Sequence, residues 1–328
     1  MVTNILKGLF ISCLMCLSIN VFSQYNTKVV ITDVNNNDLK QKMQNNASQL
    51  LSELNSAFFD KRKPKLNESY LTNEAIKSIL LLWETSMFRC YETDIIEKAL
   101  YRQHGGLEIR NIPLFFKEAD TTDQYQEAVM IFTSNGLIDN IYISIETNRY
   151  NKLLNQGKTV TEFRRRQIIL DFIENFRTSY NRKDIDFLNK VYSDDALIIT
   201  GKVIKVSNKN NDMMQKSLTK EQVIYQKQSK TEYISSLKRI FKNNSYINIK
   251  FDSIAITQHP VYPEIYGVSL MQGWNTTNYS DNGYLFLMID FQDENNPLIQ
   301  IRTWQPFNIL AISKTDSVFN LGDFNIVK

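Results

Sequence analysis

The sequence predicts an α+β chain made of two diverged copies of one small unit, each opening with an amphipathic helix and closing in a meander of strands. Three observations predict it. Residues 50–76 (LLSELNSAFFDKRKPKLNESYLTNEAI) align without a gap on residues 172–198 (FIENFRTSYNRKDIDFLNKVYSDDALI), an offset of 122, so that Leu66, Asn67, Tyr70 and Ile76 fall on Leu188, Asn189, Tyr192 and Ile198. A strand in each copy alternates apolar residues and then slips phase by one, as a bulge requires. Each copy closes on a hairpin, one turning at Asn135-Gly136 and the other at Asn295-Asn296-Pro297.

Ahead of the repeat, Lys7, the apolar run from Gly8 to Val21 and the residues Phe22-Ser23-Gln24 have the layout of a secretory leader cut near Ser23. The run is shorter than the ~20 residues of a spanning helix and nothing later approaches that length, so no integral membrane segment is expected in the mature chain and its place is the periplasm or the medium. Cys13 and Cys16 lack the small residues of a lipid-attachment box. Loss of the leader leaves Cys90 without an internal disulfide partner. It also leaves 37 basic residues against 35 acidic ones, a balance that argues against nucleic acid. The one dense basic spot, Arg164-Arg165-Arg166, reads as the solvated face of a helix.

The first helix of each copy buries residues three and four apart, Leu51, Leu54 and Phe58 in one and Ile173, Phe176 and Tyr180 in the other. Thr93 and Thr231 each read as the cap of a later helix (TDIIEKAL, TEYISSLKRIF). The strands that follow carry the phase slip, Leu107 and Ile109 resuming at Ile112, Leu114 and Phe116, and Ile247, Ile249 and Phe251 giving way to Ile254 and Ile256. Residues 75–88 leave helix and strand open, since Ile76, Ile79, Leu80 and Trp83 fit a helix while the repeat alignment puts a strand there, and a helix running into a short strand is preferred. An extra strand, Glu264 to Trp274, makes the first copy the reduced one, and the polar stretch from Val206 to Lys230 predicts a loop. The domains expected are a leader at 1–23, a reduced unit at 38–150, a full unit at 160–310 and a tail at 311–328 that adds a strand or docks on the body.

The order of elements in the second unit resembles the nuclear transport factor 2-like (SnoaL-like) superfamily. The likeness is carried by DIDFLNKVYSDDALI from Asp184 to Ile198 and MIDFQDENNPLIQIRTWQP from Met288, and spans 167–307. It implies two cone-shaped, curved antiparallel sheets wrapped by helices, in tandem. Independently of the family, Asp184 suits a helix cap and Asp194-Asp195 a turn before a strand. The superfamily's steroid isomerases imply an oxyanion-binding tyrosine where this chain has Phe176 and a carboxylate base where it has Thr200, so that chemistry lacks its parts.

Other chemistries fare no better. His104 and His259 sit in turn-like sequence, Cys90 reads as buried filler, and there is no zinc-type cluster, Gly-rich phosphate loop or G-x-S-x-G turn, so no metal or cofactor is expected. A cone leaves a cavity at its mouth, and Tyr180, Phe187, Tyr192, Trp274, Asp290, Arg302 and Trp304 are the candidate ligand-binding residues. The reading is an exported, non-catalytic binding or scaffold protein whose partner is a small apolar molecule or an envelope protein, the latter meeting an open sheet face. The alternative is an enzyme acting on a small or carbohydrate-like substrate in the pocket of the second unit, with Asp290 and Tyr180 as acid–base candidates.

Overall fold

A computed structural model describes residues 25–206, 220–307 and 318–325, apart from 104, 120, 122 and 278. The expected leader and His104 lie outside the described residues. The chain divides into two compact units, Met1–Thr147 and Asn148–Lys328.

In the first unit α1 (Asn37–Phe59) is capped by Asn36, whose side chain accepts from the Leu39 amide, and buries Met43, Ala47, Leu50, Leu51 and Leu54. Helix α2 (Asn73–Thr85), capped by Thr72, gives way to the short strand β2 (Phe88–Cys90), the transition expected there. Strands β5 (Leu107–Phe116), β6 (Tyr125–Phe132) and β7 (Ile138–Ile143) complete an antiparallel sheet in the order β2-β5-β6-β7, with β4 (Leu100–Tyr101) also on β5. Gly136 takes a φ of +82°, which the β6–β7 turn needs and a glycine supplies without strain. Cys90 is buried, and burial pushes its thiol pKa up, as suits a packing residue.

One expectation here is overturned. The residues after Thr93 are no helix but strand β3 (Asp94–Lys98), paired in parallel with β1 (Lys28–Thr32). A helix would have buried several of its apolar residues; instead Ile95 is buried and Ile96 lies 71% exposed. The β-branched pair finds backbone partners in a strand that precedes the repeat, and pairing overrides the weak helical spacing.

The second unit begins with α3 (Thr147–Leu154), which straddles the division, and α4 (Val160–Asn181), followed by α5 (Ile185–Val191), capped by Asp184. Strands β8 (Tyr192–Val206), β9 (Lys220–Gln228), β10 (Ile247–Gln258), β11 (Ile265–Thr276), β12 (Ser280–Asp290) and β13 (Leu298–Pro306) form one sheet in the order β10-β11-β12-β13-β8-β9. Helix α6 (Lys230–Asn243) is held by a full capping box between Ser229 and Glu232. The curled sheet, antiparallel except where β13 and β8 run parallel, with helices packed against it, is the cone that the resemblance implies. The extra strand is β11.

The phase slips are bulges. The β5–β6 register shifts between Ile109 and Ile112, and the β10–β11 register between Asp252 and Ala255. Each bulge holds a residue at positive φ, Asn111 at 57° and Ser253 at 50°.

Three further expectations are corrected, and the two alternatives for the tail are resolved. The stretch from Val206 to Lys230 is not all loop, since Lys220–Gln228 pairs with β8. Asp194 and Asp195 lie within β8 rather than in a turn, because the strand starts directly at Tyr192; Asp194 points to solvent and binds Lys230. Of the arginine triplet, Arg164 and Arg165 pair with Glu294, while Arg166 is buried, meeting Glu162 and the carbonyls of Leu153 and Ile256. Of the two alternatives for the tail, docking is the one its described part follows: the short turn Leu321–Asp323 sits on the sheet, placing Leu321 against Ile265, Phe286, Met288 and Ile301.

Candidate ligand-binding site

Helix α6 presents Tyr233, Leu237, Ile240 and Asn244 along one stripe because these residues recur every three or four positions. Facing the stripe, alternate residues of the sheet turn inward: Gln272, Trp274 and Thr276 on β11, Arg302 and Trp304 on β13, Thr200 on β8 and Asp281 on β12. Together they enclose a cavity of about 340 Å³, within the size range of small-molecule sites. It opens past Tyr279 and Ile240, which are 58% and 37% exposed.

From Tyr233 in this wall a chain of phenols runs back through Tyr180 to Tyr192. The Tyr180 hydroxyl lies 2.7 Å from that of Tyr233 and 3.2 Å from that of Tyr192, and all three rings are buried. Burial pushes the Tyr180 and Tyr192 phenols well up, so both are neutral at physiological pH.

Arg302 reaches this cluster from β13. It is only 4% exposed, its guanidinium carbon lies 5.0 Å from the centre of the Tyr233 ring, and Tyr180 is its hydrogen-bonding neighbour. Burial works against its charge, but the oxygens of Tyr233, Tyr180 and Tyr192 outweigh that and its pKa stays above the ordinary value; it is a cation. Among the described residues no carboxylate pairs with it, and its Nε and Nη1 have no hydrogen-bond partner. Neutral phenols supply dipoles and a ring face, not a counter-charge. The Trp304 indole N–H, on the same strand and cavity wall, is likewise buried without an acceptor.

At the mouth, Asp281 accepts from the Tyr279 hydroxyl, and burial raises its carboxyl pKa more than that bond lowers it. Gly283 makes room for Trp304: a Cβ there would stand 2.6 Å from the indole Cε2 and 2.4 Å from the Gln305 carbonyl oxygen.

Of the residues singled out from the sequence, Trp274, Arg302 and Trp304 line the cavity, and Tyr180 and Tyr192 stand one layer behind it. Phe187 and Asp290 are not among its lining residues. Phe187 sits in the first turn of α5, and Asp290 closes β12 at the end away from Asp281, its carboxylate accepting from the Gln292 amide. Thr200 lines the wall, whereas Phe176 is packed among Phe172, Tyr180, Tyr192 and Phe251. His259 is a turn residue whose Nδ1 accepts from the Val261 and Tyr262 amides. Sequence reasoning missed Tyr233, Leu237, Gln272 and Asp281. The first two were signalled by the spacing in TEYISSLKRIF and Gln272 by its place two residues from Trp274; nothing marked Asp281 over Asp290.

No known family and no curated protein matches the sequence. Solved structures similar to parts of it include Bd1075 of Bdellovibrio bacteriovorus (12% identity, TM-score 0.33, spanning 65% of this chain and 75% of that one). Others are an NTF2-like protein of Cytophaga hutchinsonii (13%, 0.31, 43% and 98%) and an NTF2-like protein of unknown function of Shewanella oneidensis (14%, 0.30, 42% and 95%). At these values the fold rests on the chain's own element order and sheet topology.

Proposed function

We propose that the chain is an exported binding protein whose second unit holds a small molecule with an apolar, ring-compatible body between α6 and the inner face of the sheet. The observation that carries this reading is the cavity: Trp274, Trp304, Tyr233, Leu237 and Ile240 supply most of its wall, with a few polar groups among them, the composition of a small-ligand site. Support for a partner on the sheet face is weaker in this unit, because Leu321, Phe319 and Phe324 already pack against its apolar outer residues. Among its described residues the first unit has no equivalent of α6, since the segment after Thr93 is a strand, which favours a supporting role for it.

The acid–base pair of the enzymatic alternative is not assembled at the cavity: Asp290 lies away from it and Tyr180 is sealed. A catalytic reading would rest instead on Asp281, the carboxylate that lines the cavity beside the Tyr279 hydroxyl.

Tryptophan emission tests the proposal, as Trp274 and Trp304 face the cavity and Trp83 is in the other unit. Titration with small aromatic and alkyl probes, neutral and charged, should shift the emission saturably, and Leu237→Trp, which fills the space, should abolish the shift. No shift with any probe, or one untouched by Leu237→Trp, would overturn the proposal.

A further inference from the structure

We infer that the ligand is a small organic monocarboxylate, seated with its carboxylate on Arg302 at the floor of the second unit's cavity and its apolar body between Trp274, Trp304 and α6. The inference rests on the cavity being a ligand site and adds the chemical class of what fills it.

The argument starts from the cost of the arrangement. A buried charge is tolerated when it is paired and its hydrogen-bonding groups are satisfied; otherwise the desolvation penalty stands uncompensated. Arg302 cannot escape by losing its proton, yet two of its donor nitrogens, Nε and Nη1, are unsatisfied and its neighbours are neutral phenols and a ring face. The Trp304 N–H adds a third unsatisfied donor on the same wall. Three donors without acceptors, one group carrying a full charge, call for a ligand end that is all acceptor and negative. A carboxylate meets both needs.

The remaining wall sets the rest of the molecule. Leu237, Ile240 and Trp274 contribute apolar surface, so the part beyond the carboxylate is hydrocarbon. Asp281 at the mouth disfavours a second negative charge at the far end, which selects a monoacid over a diacid.

The test compares matched probes on the full chain by isothermal titration calorimetry: 3-phenylpropanoate, 2-naphthoate and octanoate, each against its methyl ester. At least one acid should bind ten-fold or more tightly than its ester, and Arg302→Gln should remove that preference while leaving the ester's affinity in place. Esters binding as well as acids would overturn the carboxylate assignment and leave the cavity reading standing. Failure of every probe, acid and ester, would overturn both. The acid–ester comparison on the unaltered chain needs no variant, so a misfolded Arg302→Gln protein leaves the inference decidable. Arg302→Lys, which keeps the charge, should retain part of the preference, and its complete loss in a folded Lys variant would count against a charge-based site.

Discussion

Lys61 and Lys183 occupy the same place in the two units: each follows the first long helix in the left-handed region, with φ of 53° and 56°, and they are 122 residues apart, the offset of the repeat. The bonds around them repeat as well. Arg62 N donates to Ala57 O and Lys61 N to Phe58 O; Asp184 N donates to Ser179 O and Lys183 N to Tyr180 O. This is the helix-ending pattern that usually takes glycine. Its recurrence at the same offset supports common descent of the two segments.

The two lysines should nevertheless respond differently to glycine. Lys61→Gly removes a strained φ costing roughly 1–2 kcal/mol and adds back some chain entropy, so the first unit should gain up to about 1 kcal/mol. Lys183 Nζ also donates to the Asn244 and Ser245 carbonyls beyond α6, charged bonds worth about 1.5–3 kcal/mol, so Lys183→Gly should destabilise the second unit. Urea unfolding of both variants checks this, and equal shifts of the same sign would refute it.

Glu53 should give the first unit an acid-sensitive component. Burial raises its pKa, but the Arg62 guanidinium, 2.6 Å away, and the Lys65 amide outweigh that and hold it below 4.5. A depressed carboxylate pKa stabilises the fold above the unfolded value and loses that contribution as pH falls through the folded one. Glu53→Gln should cost about 1–2 kcal/mol at pH 7. The difference from the unaltered chain should shrink below pH 4.5 in urea midpoints; a pH-independent difference would contradict the account.

Gly283→Ala should cost about 1–3 kcal/mol, because the new methyl meets a backbone oxygen that cannot move aside and the Trp304 indole. Tryptophan emission should change in the unliganded protein. An unperturbed spectrum would mean that the indole does not lie over Gly283.

Leu321→Asp should release the docked tail, since an unpaired carboxylate cannot remain among Ile265, Phe286 and Met288. Hydrogen exchange should show protection lost at 318–325, and the bared apolar face should drive concentration-dependent self-association. Retained protection would contradict the docking.

The bulged strands, both closing hairpins, the Asp184 cap and the helix-to-strand passage at 75–88 were legible because each depends on local periodicity or turn chemistry. What escaped depends on partners distant in sequence. Ile95 and Ile96 became a strand because Val29 and Val30 pair with them from outside the repeat. Lys220–Gln228 carries little apolar signal, and its pairing with β8 decides it. Arg302 and Trp304 could be placed from the alternation of β13. Asp290 and Asp281 share β12, and only the position of α6 decides which end of that strand meets the cavity.

The central claim is that the second unit carries a small molecule, and native mass spectrometry of the protein purified gently from its own host tests it most directly. The account predicts a bound mass of a small acid, released on denaturation and missing from Leu237→Trp. A bare chain mass from that source, joined to calorimetric silence toward every acid and ester probe, would contradict it.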